Sequence, residues 1–202
     1  MSKNLLRVWG LSMALGLLVL GCAKVPQEAV TAARSAVDSA RVAEAPLYAP
    51  EQFRAASDSL EAAMTEIEKQ NSKNMFTRKY DLAEQRLISA RGLAESSVRM
   101  AAENKARVMA ESAEAITMLE AAIAEAKTLI EKAPRGKDGA AVLEAMKGEI
   151  AAVEQALATA TASRAAGDYF GSRDTARAAT ETVKAISAEL TTAIEKKKMG
   201  TR

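Results

Sequence analysis

The sequence predicts an all-α protein: an elongated antiparallel helical bundle of two three-helix modules that share one long central helix, with coiled-coil-like packing. Three observations lead there. Residues 77–133 contain no proline and a single glycine, Gly92, so nothing in roughly 57 residues forces a helix to stop, and at 1.5 Å per residue they would make a helix about 85 Å long. Within that stretch apolar residues recur at steps of three and four. They form one run of Tyr80, Ala83, Leu87, Ala90, Ala94, Val98 and Ala101 and a second of Ile116, Leu119, Ile123, Ala126 and Ile130, which is a coiled-coil seam in two blocks. Finally, only 3% of the 202 residues are aromatic while alanine is abundant. A buried alanine contributes far less apolar area than leucine or phenylalanine, so long, shallow helix contacts suit this chain better than a thick globular core.

Each element follows from local signals. Pro26 opens a first helix that runs to about Glu44 with Val30, Ala33, Val37 and Ala40 on one face. Ala45-Pro46-Leu47-Tyr48-Ala49-Pro50 is expected to break it, and Pro50 suits the first position of a second helix whose stripe is Phe53, Ala56, Leu60, Ala63 and Ile67. Asn71-Ser72-Lys73-Asn74 reads as a polar turn, with Asn74 or Thr77 capping the long helix. Pro134 and Gly136 end that helix, and Asp138 caps a fourth carrying Leu143, Met146, Ile150, Val153, Leu157 and Ala160. Gly167 is placed to take a left-handed conformation while Asp168 caps the fifth helix, with Val183, Ile186, Leu190 and Ile194 facing inward. Lys196, Lys197 and Lys198 begin a basic tail. Tyr80 and Tyr169, like Pro46 and Pro134, recur roughly 86 to 90 residues apart, which fits either a duplicated module or shared alanine-rich composition.

The chemistry on offer is sparse. There is no histidine and one cysteine, which removes the commonest general base and most transition-metal sites; no catalytic, metal or cofactor-binding residues are assigned, and no cofactor is expected. Glu61, Glu66 and Glu68, or Glu111, Glu114 and Glu120, could group on a helix face, though on helices this rich in charge the expectation is a solvated face. Tyr48, Phe53, Tyr169 and Phe170 are expected to cover the long helix where its seam is thin, or to form a partner surface.

The amino terminus is the most informative stretch. A basic segment holding Lys3 and Arg7 precedes an uncharged run over 8–20 that ends in Val19-Leu20-Gly21-Cys22. That is the layout of a secretory signal peptide, and the final tetrad resembles the lipobox of bacterial lipoproteins. The resemblance implies cleavage before Cys22, acylation of its thiol and amino group, and, with Ala23 following, an outer-membrane address. Three acyl chains would hold effectively permanently, since each buried methylene adds about 0.8 kcal/mol. Loss of residues 1–21 removes Lys3 and Arg7 from the 28 basic residues and none of the 26 acidic ones. A neutral mature surface argues against nucleic acid as a ligand. Ala45-Pro46-Leu47-Tyr48-Ala49-Pro50-Glu51, Leu60-Glu61-Ala62-Ala63-Met64 and Tyr80-Asp81-Leu82-Ala83 resemble an uncharacterised family of alanine-rich helical lipoproteins often found before OmpA-like domains; this implies fold and location, with no activity attached. The expected organisation is a signal peptide over 1–21, one helical module over 22–102 and a second over 103–202. The expected partners are the membrane, through the Cys22 anchor, and envelope proteins or peptidoglycan.

Overall fold

The computed structural model describes residues 24–134 and 139–200. Every regular element among them is a helix: α1 (Gln27–Val42), α2 (Ala45–Tyr48), α3 (Pro50–Asn71), α4 (Asp81–Lys132), α5 (Gly139–Ala165) and α6 (Tyr169–Gly200). They pack as helical bundles in two compact units, Met1–Ala101 and Ala102–Arg202, and α4 contributes residues to both.

In the first unit α1 buries Val30, Ala33, Val37 and Ala40, the stripe its sequence predicts. Its end differs from a simple break. Glu44 takes a left-handed backbone with φ 58°, and its carbonyl accepts hydrogen bonds from the Leu47 and Tyr48 amides, so 45–48 winds into one helical turn before Pro50 starts α3. Proline at the first turn loses no hydrogen bond there, which is why Pro46 and Pro50 are both tolerated. On α3, Ala56, Ala63 and Ile67 are buried, and so are Glu66 and Gln70, two polar residues outside the predicted stripe. Val30, Ala33, Ala63, Ile67, Tyr80, Ala83, Leu87 and Ala90 form one contiguous core.

The long helix starts at Asp81 rather than near Thr77, because the preceding polar residues spend their hydrogen bonds on a separate turn. Its seam also differs in detail. Ser97 is buried in place of Val98, with its hydroxyl donating to the Ala94 carbonyl at 2.8 Å. Between neighbours as small as Ala94 and Ala101, a serine that satisfies its own hydroxyl occupies the inner position with little bulk. Val108 and Ser112 are buried between the two predicted blocks, and the helix runs through the polar 102–107 stretch without a break.

In the second unit Ala115, Leu119, Ile123 and Ala126 of α4 pack with Leu143, Met146, Ile150, Val153 and Ala160 of α5 and with Ala176, Val183, Ile186 and Leu190 of α6. Ile116, Ile130 and Leu157, expected in the seams, are only half-buried at its margin. Lys127 and Glu154 pair between α4 and α5. Asp138 lies outside the described residues, so its cap does too. The α5–α6 hairpin is built as its sequence predicts: Gly167 has φ 86°, and the Asp168 carboxylate accepts from the Gly171 amide at 2.9 Å. Lys196, Lys197 and Lys198 continue α6 instead of leaving it as a tail, as consecutive good helix formers at a helix carboxyl end do.

Candidate functional site

Cys22, the residue on which the sequence concentrates most chemistry, lies outside the described residues. The four rings are placed as follows. Tyr48 closes α2 and is buried, at 4% exposure. Phe53 is half-buried, and the Arg41 guanidinium lies 5.8 Å from its ring centre. Tyr169 and Phe170 are the half-buried first residues of α6, and the Arg173 guanidinium sits 5.2 Å over the Phe170 ring. Both guanidiniums cover apolar ring surface; Arg41 keeps its charge in solvent, whereas Arg173 is mostly buried against Glu111 and Asp174. Of the four, Tyr48 leaves no face for a partner to reach.

The two glutamate groups do not gather as clusters; in each, one member is drawn into a basic or amide environment. Glu111 on α4 accepts from Arg107 at 3.0 Å on one oxygen and from Arg173 of α6 at 3.0 Å on the other, with Arg177 at 3.6 Å. The Arg173 hydrogen bond, opposed by burial and reinforced by Arg107, holds the Glu111 carboxyl below its ordinary pKa. Arg173 also donates to Asp174 at 2.8 Å, which lowers the Asp174 carboxyl through that hydrogen bond. Arg173 and Arg177 tie α6 to the Glu111 carboxylate on α4, and Arg107 of α4 itself adds a third guanidinium to the group. Among the described residues, no three acidic or cysteine side chains come together in a way that could hold a metal ion.

The most elaborately built surface feature is the connection between α3 and α4, which sequence reasoning treated only as a polar turn. Gln70, buried at the end of α3, donates to Glu66 at 2.6 Å and accepts from the Lys79 amide at 3.1 Å. The hydrogen bond from Gln70 to Glu66, against the effect of burial and with help from Lys69, Arg86 and Lys73, lowers the Glu66 carboxyl from its ordinary pKa. The Tyr80 hydroxyl donates to the Asn71 side chain at 2.5 Å, and Arg78 donates to the Asn71 and Lys73 carbonyls at 2.8 and 3.1 Å. Asn74 accepts from the amides of Phe76 and Thr77. The turn is thus pinned at both ends and across its middle. Its two large apolar side chains nonetheless face outward, Phe76 84% exposed and Met75 50%. The available signal was the bare Met75-Phe76 pair inside a polar segment, since loops seldom place a large ring where nothing covers it.

No known family matches the chain, and no characterised protein or solved structure shows significant similarity to it.

Proposed function

We propose that this chain is a lipid-anchored helical protein of the periplasmic face of the outer membrane, serving as a structural spacer or interaction scaffold of the cell envelope. The observation that carries the reading is the order of features at the amino terminus: basic residues, an uncharged run over 8–20, and the sole cysteine at the end of Val19-Leu20-Gly21-Cys22. The all-helical fold agrees with it. Among the described residues no helix is long and apolar enough to cross a membrane, so in this reading attachment falls to the acylated cysteine. The chain is assigned no catalytic role, its sequence offering neither histidine nor a second cysteine.

A second reading, an adaptor for a partner protein of an envelope complex, draws on one observation: Val42 is 86% exposed, and Leu47 is exposed beside it in sequence at the α1–α2 corner. Detergent extraction with and without peptidoglycan digestion separates the two. A spacer attached to the wall is released only after digestion. An adaptor is released by detergent alone, and a photo-crosslinker at Val42 then captures one partner protein.

A further inference from the structure

We infer that the α3–α4 turn is a lipid-docking element that seats Phe76 and Met75 in a bilayer surface carrying anionic phospholipid headgroups. The inference deepens the anchored reading and rests on it for the choice of surface, while its geometry stands on the first unit alone.

Charge comes first. From Lys69 to Tyr80 the chain carries Lys69, Lys73, Arg78 and Lys79 and no acid, in a protein whose 28 basic and 26 acidic residues nearly balance overall; Glu68 and Asp81 flank the stretch from the helices. Lys69, Lys73 and Lys79 are exposed. Arg78, half-buried, uses its guanidinium to hold the Asn71 and Lys73 carbonyls, so it fixes the turn and still contributes its positive charge. A cationic rim around an exposed ring and thioether complements an anionic interface, where the apolar tip enters the acyl boundary and the ammonium groups meet phosphates.

Rigidity comes second. An exposed phenylalanine on a loose loop could fold back onto the protein and cover itself. Here Gln70, Asn71, Asn74, Arg78 and Tyr80 satisfy the turn's backbone and hold it with the ring outward, so the entropy of ordering the turn is already spent before any docking.

Position comes third. Val25, just before α1, packs against the same core that holds Tyr80 at the base of the turn and Ile67 near the end of α3. Cys22 is three residues earlier, a reach of at most about 10 Å. In the anchored reading a bilayer entered at Cys22 would lie within that reach of Val25 and so close to the first unit's core, and the tether would raise the effective concentration of lipid around that unit.

The test uses the full chain carrying Trp9→Phe and Phe76→Trp, so that position 76 holds the only tryptophan whether or not the leader is removed. The protein is purified from membranes and reconstituted in phosphatidylcholine vesicles with or without phosphatidylglycerol, using brominated acyl chains. The expected result is quenching and a blue shift of the indole fluorescence on phosphatidylglycerol-containing vesicles. Lys73→Gln with Lys79→Gln should lower the ratio of docked to undocked turn about 25-fold, roughly fivefold per cation. Indole fluorescence that stays unquenched on anionic vesicles holding the protein overturns the inference. So does equal quenching with and without phosphatidylglycerol, and so does a photo-crosslinker at position 76 that captures a protein in place of lipid in native envelopes. The mass of the Cys22 peptide is read on the same sample: an unacylated Cys22 with fluorescence from position 76 quenched on anionic vesicles defeats the anchored reading and upholds the turn, and an acylated Cys22 with unquenched fluorescence from position 76 defeats the turn alone.

Discussion

Glu66 is 7% exposed yet ionised, because the Gln70 amide is hydrogen-bonded to it and three cations lie near. A carboxyl whose folded pKa is lowered stabilises the fold above the unfolded value, about 4.3 for glutamate, and that contribution is lost as pH falls through the folded value. Glu111 and Asp174 are shifted in the same direction. Stability should therefore be flat above about pH 5 and decline below about pH 4. In urea denaturation at pH 6 and pH 3.5, the Glu66→Gln and Glu111→Gln double variant should show a smaller difference in midpoint than the parent; an equal or larger difference would place the acid sensitivity elsewhere. A second residue works in the opposite sense. The Ser172 hydroxyl is buried with no hydrogen-bond partner among the described residues, and an unsatisfied buried polar group costs about 1 kcal/mol or more. Ser172→Ala is expected to raise stability by about 1 kcal/mol, measured as an increased denaturation midpoint at unchanged slope.

At the scale of the element, glycine separates what a helix needs from what a turn needs. Gly92 and Gly148 lie inside α4 and α5, where an added Cβ would meet nothing. Alanine at either position should therefore stabilise by about 0.5–1 kcal/mol. Gly167 also has open space around it, but its φ of 86° is strained for any residue with a Cβ, so Gly167→Ala should cost about 1 kcal/mol. Thermal melts of the three variants should move in these two directions, and a destabilised Gly92→Ala would show that α4 is constrained there by something its exposed surface does not reveal. Leu119 is among the largest fully buried side chains, and Leu119→Ala should cost about 2–5 kcal/mol in the same assay.

Stop signals such as Pro50 and Gly167 made the ends of α1, α3 and α5 legible to within about two residues, and periodicity made the buried stripe of α1 legible. It failed where small or polar residues face inward. Ser97 replaces Val98 because self-satisfaction by hydroxyl-to-carbonyl bonding is invisible to a hydrophobic pattern. Glu66 and Gln70 are buried because they serve the turn ahead of α4, and Asn74 and Thr77 bond each other inside that turn instead of capping the helix. Those pairings depend on residues up to nine positions apart in a segment without period, which pattern reading does not resolve.

Across the whole molecule, two compact units each enclose a core of their own, and alanine, serine and a few leucines, valines and isoleucines fill both. The candidate site was legible to a different degree. The proposed lipidation signal rests on residue order alone, whereas the outward face of Phe76 depends on Gln70, Asn71, Arg78 and Tyr80 holding its turn. Both belong to the proposal that the chain is held to a membrane through Cys22. The most direct measurement is the mass of the amino-terminal peptide of the protein purified from its own envelope, with Cys22→Ser fractionated in parallel. The expected result is a peptide beginning at Cys22 and carrying acyl groups on its thiol and amine, and a Cys22→Ser protein lost from the processed, acylated membrane form. An unmodified amino terminus at any other residue, or a Cys22→Ser protein processed and retained as before, would contradict it.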